Sequence, residues 1–228
     1  MADLRVDHGV SRTDEFDVPA RGNASTYRAG GKRVCDIALA ILILPMVAPV
    51  IGALALAVKR QDGANPFFGH TRVGRDGKRF RCWKIRTMVA DAQERLVEHL
   101  ANDPEAAAEW EAERKLTNDP RITRLGAFLR KTSLDELPQI WNVLRGDMSF
   151  VGPRPVPEDE LEKYGHARGA YLAVRPGVTG MWQVSGRNDV AYDERVRMDV
   201  EYQRAYTLPM DFGILLRTAG VVVKPTGK

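Results

Sequence analysis

Residues 34–58 read VCDIALAILILPMVAPVIGALALAV. The stretch is 25 residues long and carries one charge, Asp36, near its start. As a straight helix it would extend about 37 Å, against the roughly 30 Å hydrocarbon core of a bilayer. A soluble core rarely calls for such an element, so the run reads as a membrane helix. A cleaved leader is not expected, because 33 residues of mixed charge precede the run and no small-residue cleavage site ends it.

Lys32 and Arg33 precede the run, and Lys59 and Arg60 follow it. Basic flanks favour the cytoplasmic side, and here both flanks are basic. Pro45 and Pro49 stand near the middle. Pro45 cannot donate to the carbonyl of Ile41 and its ring crowds that turn, so a kink is expected. Two topologies satisfy these constraints: a bent helix that returns to the face it entered, and a kinked helix that spans.

Outward from the run, the whole chain has 228 residues, 44% apolar and 28% charged, which suits one domain with appendages rather than a disordered polymer. Residues 1–31 hold four basic and five acidic side chains without periodicity and read as a flexible tail. Residues 32–60 form the membrane helix with its flanks, and 61–228 the cytosolic domain. Within it, 59–86 holds nine basic and two acidic residues, whereas 91–119 holds three basic and nine acidic. A basic block beside an apolar run points to an anionic bilayer surface rather than to nucleic acid, for which no recognition motif is present. Cys35 and Cys82 and the four scattered histidines make neither a disulfide scaffold nor a zinc site.

The rest predicts a mainly helical α+β fold with one small β-hairpin. Phe67-Phe68, the turn at Arg75–Lys78, then Phe80, Cys82 and Trp83 read as the hairpin. Residues 90–116 read as helix with a break at Asn102-Asp103-Pro104, 121–131 as an amphipathic interfacial helix, and 193–206 as a further helix. Residues 208–223 are apolar but too short to span comfortably, so they lie in the interface or pack on the core.

The densest chemistry is Ser133-Leu134-Asp135-Glu136-Leu137-Pro138-Gln139. One reading is structural: Ser133 and Glu136 match a capping box, or Asp135 caps a helix whose first turn holds Pro138. The other is catalytic. Two carboxylates at the positive end of a helix beside Arg130 and Lys131 suit a nucleophile kept ionised and a ligand for Mg²⁺, which prefers one or two carboxylates plus phosphate oxygens. Gly152-Pro153-Arg154-Pro155, Arg175-Pro176-Gly177-Val178-Thr179-Gly180 and Gln183 to Asn188 follow within 60 residues and offer guanidinium and amide donors on turns. Together these compose a phosphoryl-transfer site at a membrane surface.

The order of these motifs, with Lys84-Ile85-Arg86-Thr87-Met88 and Gly146-Asp147-Met148-Ser149 in register, resembles the bacterial sugar transferases. These are monotopic phosphoglycosyl transferases that start surface polysaccharides, and the resemblance is nearest to the undecaprenyl-phosphate galactose phosphotransferases of exopolysaccharide synthesis. It covers roughly residues 32–224. It implies a UDP-sugar donor (galactose or glucose), an undecaprenyl phosphate acceptor and Mg²⁺, at the cytoplasmic face of the bacterial inner membrane. It also implies attack by Asp135, a covalent phosphosugar and release of UMP. Glu136 matches the Mg²⁺ partner, and Arg130 and Arg154 match phosphate contacts. Lys84, Arg86, Arg175, Gln183, Arg187, Asn188 and Asp199 fall at nucleotide-sugar positions. The family's membrane helix is re-entrant. Some members break it at a Ser-Pro pair, where this chain has Leu44-Pro45. The competing reading is a membrane-anchored scaffold of polysaccharide assembly whose acidic pair only caps a helix. A homodimer is left open.

Overall fold

The computed structural model describes residues 26–113, 115–186 and 190–223. Helix α1 (Lys32–Asp62) is the longest element, and a short turn, Tyr27–Gly31, precedes it with a kink at Gly30. Residues 27–31, expected as part of the tail, thus lie against the domain, and residues 1–25 fall outside the described residues. The reason is tethering at Tyr27 and Arg28. Tyr27 donates to Asp211 at 2.5 Å, and Arg28 donates to the carbonyls of Arg204 and Tyr206.

α1 runs from Lys32 to Asp62 with Pro45 and Pro49 inside it, so neither proline ends the helix. Each proline deletes one backbone hydrogen bond, but the helix is held against the domain on both sides of the pair. Ala40, Ile43 and Leu44 pack with Ile140, Val143 and Met148 before it. Leu54, Ala55 and Val58 pack with Ile85 and Leu129 after it. The single acid of the apolar run is explained by the same packing: Asp36 is buried and accepts from Ser149 Oγ and Phe150 N, both at 3.0 Å. Arg33 donates to the carbonyls of Val143 and Leu144. The opposite face of α1 leaves Ile41, Leu42, Met46 and Val50 exposed.

Strands β1 (Phe67–Val73) and β2 (Arg79–Ile85) form the expected hairpin, antiparallel with Phe67 opposite Ile85 and Val73 opposite Arg79. Helices α2 (Ala92–Asn102) and α3 (Pro104–Glu113) follow. They are separated at Asp103, whose side chain accepts from the N–H groups of Glu105 and Ala106. Helix α4 (Arg124–Thr132) starts at a true cap, Thr123, which accepts from Gly126 N at 2.9 Å. Gly126 is required by close approach, since a Cβ there would lie 1.9 Å from the Thr87 carbonyl oxygen. α4 buries Leu129 and exposes Phe128.

Helix α5 (Gln139–Arg145) is locked to β2 by buried Asn142. Its side chain accepts from Trp83 N at 3.0 Å and donates to the Arg81 carbonyl at 2.7 Å. Next come β3 (Ser149–Val151), α6 (Glu158–Glu162), α7 (Arg168–Leu172) and β4 (Gly177–Thr179). β3 and β4 pair in parallel, which the sequence reading lacks. This pairing explains the Gly-Pro motifs: a Cβ on Gly177 would meet Gly152 N at 2.2 Å. The glycines permit two backbones to touch. Helices α8 (Met181–Ser185), α9 (Tyr192–Ala205) and α10 (Leu208–Val223) complete the fold. α10 packs Ile214 on the core and exposes Leu208, Phe212 and Leu216.

Candidate active site

The acidic pair sits where the chain reverses. α4 ends at Ser133, whose φ of 57° places a non-glycine residue in the left-handed region. That turn throws Leu134–Glu136 into a single 3₁₀ turn ahead of α5. Neither carboxylate caps a helix: α5 begins after Pro138 with no side-chain cap, and the Ser133 side chain caps nothing. Both capping arrangements expected as the structural alternative are therefore absent.

Instead the carboxylates face β2. Lys84 Nζ lies 2.6 Å from Glu136 Oε1 and 3.5 Å from Asp135 Oδ2. Asp135 is buried and Glu136 half-buried. Burial raises the Asp135 carboxyl above its ordinary value; Lys84 and Arg130 oppose this, while the Glu136 charge adds to it. The expected helix-end field thus does not win at Asp135. Burial would also raise Glu136, but Lys84, Arg154 and Arg72 outweigh it and hold that carboxyl below its ordinary value.

The pair opens into a cavity of about 870 Å³. Arg72, Lys84, Arg130 and Arg154 line it, as does Gln183. Arg130 Nε donates to Thr87 Oγ1 at 2.9 Å and so is oriented from β2's end. The Gln183 amide oxygen is buried and has no hydrogen-bond partner, which leaves it available to a ligand hydroxyl. Phe68, His70 and Arg72 also line the cavity from alternate positions of β1. Sequence reading missed these three; period-two alternation opposite Lys84 was the signal that could have found them.

Other expected pocket residues lie differently. Arg86 lines the cavity, but its guanidinium holds both oxygens of Asp62 at 2.6 Å and the carbonyls of Asn65 and Met88. It ties the end of α1 to the hairpin. Arg175 is not among the cavity residues and donates to the Gly146 carbonyl at 2.8 Å. Asp199 is buried among Tyr164, Tyr171 and Tyr192 and also lies off the cavity. Arg187 and Asn188 fall outside the described residues.

A family model of bacterial sugar transferases matches residues 27–225. The chain belongs to the bacterial sugar transferase family. It is similar to an undecaprenyl-phosphate galactose phosphotransferase of Salmonella typhimurium, 56% identical over 86% of this chain and 41% of that protein. A UDP-galactose-lipid carrier transferase of Erwinia amylovora is 53% identical over the same shares. The exopolysaccharide production protein ExoY of Rhizobium meliloti is 45% identical over 95% of this chain and 96% of that protein. The chain thus spans 41% of the length of the first two and nearly all of the third.

The donor set of this sugar transferase suits Mg²⁺ in kind. Among the described residues no group of three or more His, Cys, Asp or Glu side chains could enclose a metal. Two adjacent carboxylates in a cation-lined cavity instead match an ion that takes one or two protein carboxylates and completes its shell with phosphate and water. The position beside Glu136 already attracts a cation, the Lys84 ammonium.

Proposed function

We propose that this sugar transferase moves hexose 1-phosphate from a UDP-sugar to undecaprenyl phosphate, initiating exopolysaccharide synthesis. The observation that carries the reading is the Asp135–Glu136 pair itself. It caps no helix, is gripped by Lys84, and opens into a cavity lined by arginines. Such an arrangement suits attack on a phosphorus atom whose negative oxygens need screening.

In this mechanism a carboxylate oxygen of Asp135 bonds to the phosphorus next to the sugar. The bond from that phosphorus to the bridging oxygen breaks, and UMP leaves with that oxygen. An oxygen of the acceptor phosphate then attacks the same phosphorus. The bond to Asp135 breaks, the carboxylate is restored and a polyprenyl diphosphate sugar forms. Arg72, Arg130 and Arg154 hold phosphate oxygens and spread their charge. Glu136 would hold Mg²⁺, which when bound supplies further positive charge to the transferring phosphoryl group. Galactose is the first choice of hexose and glucose the second, because two relatives carry galactose in their names.

The membrane arrangement follows from α1. Arg33 at one end and Asp62 at the other are both tied to the same domain, so its ends belong on one side of the bilayer. The reading is a monotopic protein on the cytoplasmic face of the bacterial inner membrane. The exposed apolar face of α1, Phe128 of α4 and the outer face of α10 are its lipid contacts.

The test is nucleotide release by purified, detergent-solubilised protein. UDP-galactose, UDP-glucose and UDP-N-acetylglucosamine are supplied separately with Mg²⁺, with and without undecaprenyl phosphate. UMP release that depends on the lipid is the expected result. Release of UDP would overturn the Asp135 mechanism, and no release from any donor by folded protein would favour the scaffold.

A further inference from the structure

Arg130 differs from the arginines near it in how its guanidinium is held. Arg86 is spent on Asp62 and two carbonyls, and Arg121 on Asp119. Arg130 donates through Nε to Thr87 Oγ1 at 2.9 Å, and among the described residues its two terminal nitrogens are left for a ligand. Thr87 is buried, lines the same cavity and stands three residues beyond Lys84.

The backbone of Thr87 is fixed independently of that hydroxyl. Its carbonyl accepts from Thr123 N at 3.1 Å, next to the antiparallel bridge between Met88 and Ile122. Gly126 packs so close to the same carbonyl that a Cβ has no room. Gly126 and Arg130 are four residues apart and so share one face of α4. The seam between the end of β2 and α4 thus brings the Thr87 hydroxyl to the Arg130 guanidinium. Arg130 in turn stands five residues before Asp135.

An exposed arginine has many rotamers, and holding one of them before the substrate arrives lowers the ordering cost of binding. Nε is the donor on the stem side of the fork. With Nε engaged, the two terminal nitrogens face outward together, the geometry that receives two oxygens of one phosphate. We propose that Thr87 is a positioning residue for phosphoryl transfer. Its hydroxyl holds Arg130 in the rotamer that presents the terminal nitrogens to the phosphoryl group attacked by Asp135. The inference rests on the transfer reading above.

Thr87→Val removes the acceptor and keeps the branched shape and the backbone contacts. It should lower kcat/KM for the UDP-sugar about tenfold, whereas Thr87→Ser, which restores the hydroxyl, should stay within about twofold of the unsubstituted chain. Thr87→Ala takes the place of Thr87→Val if that variant folds poorly. The deciding readout is a double-mutant cycle with Arg130→Met. In that background Thr87→Val should cost less than about twofold, because the group it positions is gone. The same cycle is run on UDP affinity by calorimetry, which needs no turnover. An equal loss with and without Arg130 in both readouts would make Thr87 a packing residue and overturn the proposal, as would a Thr87→Ser chain as slow as Thr87→Val. A chain that couples the two residues in UDP affinity yet releases no UMP loses the transfer reading and keeps Thr87 as the support of Arg130. A chain that neither releases UMP nor binds UDP overturns both.

Discussion

Asp135 and Asp199 are both buried carboxylates with raised pKa values, yet their surroundings are opposite. Asp135 faces Lys84 and Arg130 across a cavity open to ligands. Asp199 accepts one bond, from Tyr164 Oη at 2.8 Å, in a cluster of tyrosines and aliphatic side chains. Burial pushes it up to about 7, and the Tyr164 bond resists only in part. Burial of an acid therefore does not by itself mark a reactive group. Cations that compensate its charge, and space for a substrate beside it, make the difference.

The sharpest way to break this contrast is Asp135→Asn. Turnover should fall at least about 10³-fold, with membrane association retained and the unfolding midpoint within about 3 °C. A variant that keeps more than a tenth of the activity removes Asp135 from the chemistry. Lys84→Met should cost about 10- to 100-fold in kcat/KM. Lys84 favours the ionised form of both carboxyls, so its loss raises their pKa values. The acidic limb of the rate profile should then move to higher pH, and a limb that stays in place argues against the contact. Glu136→Gln should raise the Mg²⁺ concentration for half-maximal rate by about tenfold, and an unchanged titration would reassign the metal.

Asp199 predicts an effect on stability. Its folded value of about 7 lies above the ordinary value of 3.8 for an aspartate. Between those values the folded chain retains a proton that the unfolded chain releases, so stability falls as pH rises through this window. Asp199→Asn keeps an acceptor for Tyr164 and should gain stability over the unsubstituted chain across the same window. The difference should reach on the order of 1–4 kcal/mol above pH 7, measured by denaturant unfolding. A pH-independent difference would mean that Asp199 is ionised in the fold. The smallest effect on turnover is expected from Arg86→Ala: less than about a twofold change in donor KM, with faster hydrogen exchange at the end of α1. A tenfold rise in donor KM would return Arg86 to the donor site.

Much of the fold was legible because its signals are local. The hairpin is announced by alternation and by Arg75-Asp76-Gly77-Lys78, and the α2–α3 break by Asp103-Pro104. The β3–β4 pairing was not legible, because its strands are three residues each and 26 residues apart, too short for a period to show. Among site residues, Asp135, Glu136, Lys84, Arg130, Arg154 and Gln183 do meet around one cavity. Arg86 and Arg175 carry the same chemistry in sequence but have their guanidinium groups spent on Asp62 and on backbone carbonyls. No motif distinguishes a free arginine from an engaged one, because the partner lies elsewhere in the chain.

The sequence by itself determined the apolar helix with basic ends, the helical class, the acidic pair and its family. Each of these depends on composition or on residues within a few positions of one another. Tertiary structure alone decided that neither proline ends α1, that the carboxylates grip Lys84 instead of capping a helix, and that Asp199 lies off the cavity. Those outcomes depend on which distant groups pack together, and burial and charge at each site are set by that packing rather than by the neighbours in the chain.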